Sequence, residues 1–352
     1  MNLSWVACEA RTGRVVAELR DLVCPSVSAV LGGYTTATAT LPLPTAPENW
    51  ESATTAGGSF LVLLDGDVPV WGGLVMKDAR SEGDTKTLPL ATLEAYFDRR
   101  FVGDETYTAT GQNAIVADLA ATYLTSLPIR VEYTGPGTLR DRTYEAAADK
   151  TLLSVLTELM GVIGGPEWTV GWEHQSDPER FTPVLYVGDR IGVAPSAGMA
   201  PAATFELPGS IVSVEYVSDW SSGKGATDVM AVSSATAGVR PESPHQTVTD
   251  PTRLIFEHRF TPSTSITEVA TLTSHAQRTL AALSGGTRSL AFSANVDAAP
   301  RLGTDWRIGD DVGYVLNGPA FPGGWSGSAR AVGWELSLTE PLSVSPVLSL
   351  EV

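Results

Sequence analysis

Along most of the first 94 residues, apolar and small residues alternate with polar ones at period two, as in half-buried β-strands. Two strand-like runs flank the dipeptide Asp65-Gly66, and this dipeptide suits a two-residue hairpin turn whose central positions need positive φ. Because Pro69 cannot donate a ladder hydrogen bond, we expect it at a sheet edge or a bulge. The pattern predicts a β-hairpin that carries Trp71 directly before two glycines.

From about residue 95 to residue 204 the hydrophobic period lengthens to that of helices. Asn113 to Leu124 places its apolar residues on one helical face. The segment from Asp149 to Gly164 shows a stronger apolar face at helical spacing, and Ile163 is one of its apolar positions. Asp149 is the expected N-cap of this helix. Two strand-like runs follow and are expected to pair as a hairpin. This region is predicted to be a compact α+β module between β-rich ends.

From residue 205 onward, strand-like segments return, and one helix is predicted among them. The helix spans 265–283. Ser265 and Glu268 match a capping box, and two glycines follow Leu283. Its expected buried face includes Val269, Leu272 and Ala276. The chain is therefore predicted to be mainly β with an α+β insertion.

The charge balance narrows the possible partners. The chain has 40 acidic and 23 basic residues, a formal charge of −17. Phosphate neutralisation needs clustered Lys and Arg, so specific nucleic-acid binding is not expected, and such a surface would repel DNA. Cys8 and Cys24 are too few for a disulfide scaffold, and four scattered histidines do not indicate a metal site. No signal peptide or membrane-spanning run is evident, so we expect synthesis in a cytoplasm.

Motifs that carry catalysis are almost absent from the sequence. Phosphate-binding loops and zinc-protease motifs do not occur. The segment 324–328 misses the last glycine of a nucleophile elbow, and no helix is predicted after it. Acidic turns such as 65–67 are interpreted as solvated turn residues, and the abundance of acids makes carboxylate pairs uninformative. We therefore predict neither an enzyme nor a cofactor.

Two tryptophans leave two interpretations open. Trp168 and Trp172 lie four residues apart in a predicted strand, so they face the same side. Strand tryptophans are usually core or interface anchors, and a pair on one face can also form a platform for stacking a sugar ring.

Several segments, taken in order, have a wider resemblance. They are DGDVPVWGGLVM (65–76), LATLEAYFDRRFV (90–102), NAIVADLAATYL (113–124), KTLLSVLTELMGVIGGPEWTVGWE (150–173), ATDVMAVSSA (226–235), WRIGDDVGYVL (306–316) and ARAVGWELSL (329–338). Together they resemble the tail hub proteins of long-tailed, siphovirus-type phages, also called minor tail proteins. These hubs are related in fold to the baseplate hubs of contractile tails and to the N-terminal hub of tail-associated lysins.

The resemblance implies two β-barrel-like domains of the tail-tube type, at 1–94 and 205–352, with the small α+β module 95–204 inserted between them. Three copies of such a hub form a ring. Each copy contributes two barrels, so the ring contains six barrels and matches the six-fold symmetry of the tail tube. An acidic lumen would let phage DNA pass during genome ejection without specific binding. Lysin-type relatives continue into an enzymatic domain, whereas this sequence ends in a strand, so we expect no such domain.

The implied function is that of a structural tail-tip hub in the virion, which closes or extends the tail tube and joins it to the receptor-binding apparatus. The implied partners are two further copies, the distal tail protein, the tape measure protein and other tail-tip proteins, with the host cell envelope contacted indirectly. Alternatives are a distal tail protein of the same tip, which forms hexamers, and a carbohydrate-binding wall-recognition module. Candidate interface residues are Trp71, Tyr96, Arg99, Arg100, Trp168 and Trp172.

Overall fold

The computed structural model describes residues 1–79, 82–162, 164–196, 199–234 and 239–350. Strands hold 46% of the residues and helices 15%, and two of the sheets are curled half-barrels, so the predicted mainly β fold class is confirmed. The strands are β1 (Leu3–Glu9), β2 (Val15–Glu18), β3 (Ser26–Val30), β4 (Thr36–Pro42), β5 (Ser59–Asp65), β6 (Val68–Val75), β7 (Thr85–Thr92), β8 (Glu105–Gly111), β9 (Arg130–Tyr133), β10 (Leu139–Tyr144), β11 (Glu167–Ser176), β12 (Glu179–Gly188), β13 (Thr204–Leu207), β14 (Ile211–Asp219), β15 (Asp228–Ala231), β16 (Gln246–Thr247), β17 (Glu257–Phe260), β18 (Thr287–Asn295), β19 (Asp311–Gly318), β20 (Phe321–Ser337) and β21 (Ser343–Ser349). The α-helices are α1 (Trp50–Ala53), α2 (Glu94–Phe97), α3 (Gln112–Tyr123), α4 (Leu152–Met160) and α5 (Val269–Leu283).

The first sheet has the strand order β2-β1-β5-β6-β7-β4. The predicted hairpin β5–β6 is confirmed, but its predicted turn is wrong by one residue. Asp65 pairs with Val68, so Gly66 and Asp67 form the turn, and Gly66 has a φ of +61°. Asp65 stays in the strand because its carboxylate is bound there, as described below. Pro69 lies beside a register shift, which confirms the expected bulge.

Helices α3 and α4 and the three-stranded sheet β11-β12-β9 form the α+β region after the first sheet. Side chains of this region and of the first sheet form one shared core. Its fully buried members include Phe60 of β5, Leu119 of α3, Leu156 of α4 and Trp168 of β11. Because long apolar side chains on both helices face inward, burial here stabilises the module and the sheet together.

Two predicted details of helix α4 are wrong. Asp149 is not the N-cap, because it adopts a left-handed conformation with a φ of +48° and precedes the helix. The N-cap is Thr151, whose hydroxyl accepts a hydrogen bond from the N–H of Ser154 at 3.2 Å. The helix ends at Met160 rather than at Gly164. Ile163, which the pattern places on the apolar face, lies outside the described residues.

The second sheet has the strand order β13-β19-β20-β21-β18-β14, and strand β3 also pairs with β20. Strand β3 therefore comes from the first 94 residues of the chain but pairs with residues 333–337 of β20. The pairing brings Val27 opposite Leu336, and both side chains are buried. Burial of these apolar side chains provides a physical reason for the long-range pairing.

Residues 1–213 and 292–349 form one compact unit, and residues 214–291 form another. In the smaller unit, β15 lies between β16 and β17, and α5 packs on β15 through a core that includes Val229, Leu272 and Ala276. No helix in the described part of the chain combines the length and the apolar character needed to cross a membrane.

Helix α5 begins at Val269, four residues later than the capping-box match predicts. The Ser265 hydroxyl lies 3.0 Å from the hydroxyl of Ser263, and the N–H of Ser265 also binds Ser263, so Ser265 takes part in a local turn instead of a cap. The side chain of Val269 is 50% exposed. Its predicted place on the buried face is therefore wrong.

Candidate functional site

Trp71 joins the first sheet to a strand of the second sheet. Its indole N–H donates to the carbonyl oxygen of Ser28 in β3 at 2.9 Å, and its ring packs edge-on against Trp5 at 5.9 Å. The side chain is only 2% exposed. Trp71 therefore lies inside the subunit and stabilises the contact between two sheets.

The two glycines after Trp71 allow tryptophan rings to lie directly on both faces of strand β6. A Cβ atom on Gly73 would lie 2.4 Å from the Trp71 ring, and one on Gly72 would lie 2.2 Å from the ring of Trp172. The Trp172 ring also packs edge-on against Phe60 at 5.1 Å. The Trp-Gly-Gly sequence is thus required by packing on the two faces of the strand.

Trp168 is fully buried in the shared core. Its indole N–H donates to the carbonyl oxygen of Leu156 at 3.3 Å, and its ring lies 6.1 Å from that of Phe97. Trp172 is half-buried beside the same core. The two rings do share a face, as the spacing predicts, but that face is covered by protein and leaves no surface of Trp168 for a sugar.

Tyr96, Arg99 and Arg100 occupy three different environments. The Tyr96 hydroxyl lies 2.8 Å from the Ser126 hydroxyl. Arg100 is half-buried, and its Nε donates to the carbonyl oxygen of Tyr123, the last residue of α3, at 2.7 Å. Arg99 is exposed, and its side chain has no hydrogen-bond or ion-pair partner among the residues that the structure describes. Of these three, Arg99 alone offers its charge to an external partner.

A charged contact that the sequence analysis missed links strand β11 to strand β20. The guanidinium of Arg330 binds both carboxylate oxygens of Glu167, in one case at 2.6 Å, and donates to the carbonyl oxygens of Ile191 and Gly309 at 2.7 and 3.0 Å. Both charged side chains are largely buried, at 12% and 18% exposure. Burial alone would raise the pKa of Glu167, but the Arg330 guanidinium and the N–H of Ile191 hold it below its ordinary value.

Further pairs extend this charged contact along the segment that follows β12. Arg190 donates to Asp311 at 2.6 Å, and the N–H of Val193 donates to Asp310 at 2.7 Å. The two backbones approach so closely that a Cβ atom on Gly192 would lie 2.1 Å from the carbonyl carbon of Gly309. Glu167 of the quoted segment 150–173 and the Gly309-Asp310 pair of the quoted segment 306–316 are therefore brought together by Arg330 and the residues after β12. In the sequence, the only sign of the contact between Glu167 and Arg330 is that the two side chains carry opposite charges.

The negative charge is distributed very unevenly along the chain. Residues 214–291 contain seven acidic and six basic side chains, so the rest of the chain carries 16 of the 17 net negative charges. In the described ranges, no group of three or more His, Cys, Asp or Glu side chains is arranged to hold a metal ion.

No family model matches this chain, and no curated protein matches it in sequence. Solved structures do match it. A tail protein from Neisseria meningitidis MC58 has a TM-score of 0.56 at 15% identity, covering 100% of this chain and 97% of its own. The 43 kDa tail protein of prophage MuSo2 from Shewanella oneidensis has a TM-score of 0.57 at 12% identity, covering 99% and 98%.

A third similar structure is the E. coli c3393 protein, described as a type VI secretion component with structural similarity to the T4 tail proteins gp27 and gp5. Its TM-score is 0.53 at 9% identity, covering 94% of this chain and 74% of its own. At these identities the likeness concerns the fold. The chain described here has the fold of phage tail proteins.

Proposed function

We propose that this protein is a structural component of a phage tail, located at the tail tip, where it acts as the hub. The observation that carries the proposal is the extent of the fold similarity. It spans essentially the whole of this chain and of two bacterial tail proteins, so no large part of either fold is left without a counterpart. A hub of this kind closes or extends the tail tube and joins it to the receptor-binding apparatus.

The two curled sheets support a ring of three copies. The first sheet and most strands of the second sheet lie in the same compact unit and are held together by Trp71 and strand β3. Three copies with two half-barrels each supply the six sheet units that a six-fold tail tube presents. The distal tail protein and the tape measure protein are the expected neighbours in the tail.

The charge distribution supports a role in lining the DNA channel. The part of the chain outside residues 214–291, which contains the first sheet and most strands of the second, carries nearly all of the net negative charge. An acidic wall repels the DNA phosphates, so DNA passes during ejection without being held. This role needs no catalysis, and the segment 324–328 lies within strand β20, not at the strand-to-helix turn of a nucleophile elbow.

Labelled virions test the proposed location. Gold particles directed to a C-terminal tag should appear at the tail tip in electron micrographs of purified phage. Label on the capsid, or on no particle, would overturn the proposal. Native mass spectrometry of the purified protein with its tail neighbours should give three copies, whereas six copies would favour the distal tail protein instead.

A further inference from the structure

The carboxyl group of Glu94 is buried with too few hydrogen-bond donors. Glu94 is 4% exposed, and its Oε1 accepts a hydrogen bond from the N–H of Val170 at 3.2 Å. Thr92 also lies close enough to this carboxyl group to lower its pKa. The other oxygen, Oε2, has no partner among the residues that the structure describes. In such a place the neutral form of a carboxyl group is favoured more than it is in water, because ionisation would leave a buried charge poorly compensated.

Glu94 lies where three parts of the chain meet. Thr92 ends strand β7 of the first sheet, and its hydroxyl accepts a hydrogen bond from the N–H of Thr35 at 3.1 Å. Thr35 belongs to the segment that follows strand β3, and Val170 belongs to strand β11 of the α+β region. We call the residues Thr35, Thr92, Glu94 and Val170 the Glu94 joint.

In the described part of the chain, no other charge is directed at the Glu94 joint. Tyr34 in the segment after β3 is 46% exposed. The titratable side chains on the other elements packed against the joint have partners elsewhere: Lys86 binds Thr54 and Asp78, Tyr96 contacts Ser126, Glu158 binds Lys150, Glu167 binds Arg330, Glu173 binds Arg130, and His174 stacks on Phe181.

Burial therefore dominates at Glu94. It raises the pKa of this carboxyl group from an ordinary value of 4.5 to about 7, and the interaction with Thr92 and the hydrogen bonds from its own N–H and Val170 offset the rise only in part. A group whose pKa is raised by folding stabilises the folded state fully below about 4.5, and this stabilisation is lost as the pH rises through about 7.

We propose that Glu94 makes the contact between strand β11 and the first sheet pH-sensitive: the joint is closed while the side chain is neutral and loosens when it ionises. The change is the loss of one proton from the carboxyl group to solvent, with no covalent step. Ionisation strengthens the hydrogen bond from Val170 but leaves a charge in the protein interior, so the joint opens more often to let water reach the carboxylate. Each opening separates Val170 from Glu94 and loosens the packing of β11 on the sheet. This inference does not depend on the proposed tail function.

The test compares the wild type with Glu94→Gln, which keeps the shape of the side chain and cannot ionise. Glu48→Gln is the matched control, because Glu48 is exposed. Between about pH 5.5 and about pH 8.5, the melting temperature of the wild type should fall relative to that of Glu94→Gln by about 2–4 °C, whereas Glu48→Gln should follow the wild type. Equal pH dependence in the wild type and in Glu94→Gln would overturn the proposal.

A second measurement remains informative if Glu94→Gln does not fold. Hydrogen exchange of the wild type, corrected for the intrinsic effect of pH, should show lost protection above neutral pH in the peptide that contains Val170. The peptide that contains strand β5 should keep its protection. Infrared spectroscopy should also show a buried carboxylic-acid band that disappears over the same pH range. A band that is absent at about pH 5.5, or unchanged protection at Val170, would contradict the proposal.

Discussion

Asp65 and Arg301 form an ion pair although 236 positions separate them in the sequence. Nη2 and Nε of Arg301 donate to the same carboxylate oxygen at 2.6 and 3.1 Å, and the N–H of Asn2 donates to the other oxygen at 2.8 Å. The Asp65 side chain is 3% exposed, whereas that of Arg301 is 54% exposed. The interpretation of Asp65 as a solvated turn residue is therefore wrong. Its buried carboxylate fixes the end of β5 and moves the turn to Gly66 and Asp67.

The first prediction concerns the loss of this carboxylate. Asp65→Asn should lower the free energy of unfolding by about 1–3 kcal/mol at neutral pH, because the charge-assisted hydrogen bonds from Arg301 are lost at a buried site. Asp67→Asn is the matched control, since Asp67 is exposed in the same turn, and it should change stability by about 0.5 kcal/mol or less. Guanidinium unfolding of the three proteins measures both values, and equal midpoints would contradict the assigned role of Asp65.

The same pair predicts an acid-side pH dependence. Burial alone would raise the pKa of Asp65, but the hydrogen bonds from Asn2 and Arg301 and the Arg301 charge lower it below its ordinary value of 3.8. The stabilisation is therefore present above about pH 3.8 and is lost as the pH falls towards the lowered pKa. The stability difference between the wild type and Asp65→Asn should shrink on acidification. A difference that stays constant from neutral pH to about pH 2.5 would show that packing, and not charge, explains it.

The close contact of Gly72 with Trp172 gives a prediction based on packing. Gly72→Ala should destabilise the protein by about 1–3 kcal/mol, because the new methyl group overlaps the indole ring. The cost of Gly72→Ala should be much smaller in a Trp172→Ala background, where the overlapping ring is absent. A double-mutant cycle by chemical unfolding measures this coupling. Independent, additive effects of the two substitutions would mean that the strand tolerates the methyl group for another reason.

The contact between Glu167 and Arg330 predicts a larger effect. Glu167→Gln should cost about 3 kcal/mol, because it leaves a largely buried guanidinium without its counter-charge. Hydrogen exchange should also rise in the segment 190–193, which Arg330 and Glu167 both bind. Glu158→Gln is a suitable control, because the Glu158–Lys150 pair is exposed and should contribute about 0.5 kcal/mol or less. If Glu167→Gln lowered the free energy of unfolding no more than Glu158→Gln does, the structural role of the Glu167–Arg330 contact would be contradicted.

Local periodicity was sufficient to predict most elements of the fold. The period-two pattern before residue 94 predicts the hairpin β5–β6, and helical spacing predicts α3 within one residue. Helix starts were less reliable, because several side chains can satisfy the first backbone N–H groups. Asp149 and Thr151 compete for one cap, and the structure uses Thr151.

Long-range contacts could not be predicted in this way. The pairing of β3 with β20 and the contacts Asp65–Arg301 and Glu167–Arg330 each join distant parts of the chain. A local pattern shows that a side chain is to be buried or paired, but it does not identify the partner. For the same reason the sequence could not show that Trp71 and Trp168, two of its candidate interface residues, are buried within the subunit.

The final prediction separates two adjacent arginines, Arg99 and Arg100, that are both candidate interface residues. Arg100→Ala should lower the free energy of unfolding by about 0.5–1.5 kcal/mol, because Arg100 donates to the last carbonyl group of α3 and its charge suits the C-terminal end of a helix. Arg99→Ala should leave thermal unfolding unchanged, because the side chain is exposed and makes no hydrogen bond or ion pair with the described residues. The single variants therefore distinguish assembly from folding, which a double replacement cannot do.

Arg99 is the better candidate for an ion pair between subunits. Copies of a protein with 16 net negative charges outside residues 214–291 present many carboxylates to one another, and an exposed guanidinium can bind one of them with two hydrogen bonds. Under the proposed tail function, phage that carry Arg99→Ala should incorporate less of this protein into tails and lose infectivity. Arg99→Lys should restore assembly only in part, because an ammonium group lacks the planar fork. Normal, infectious particles with Arg99→Ala would show that Arg99 is only a surface residue.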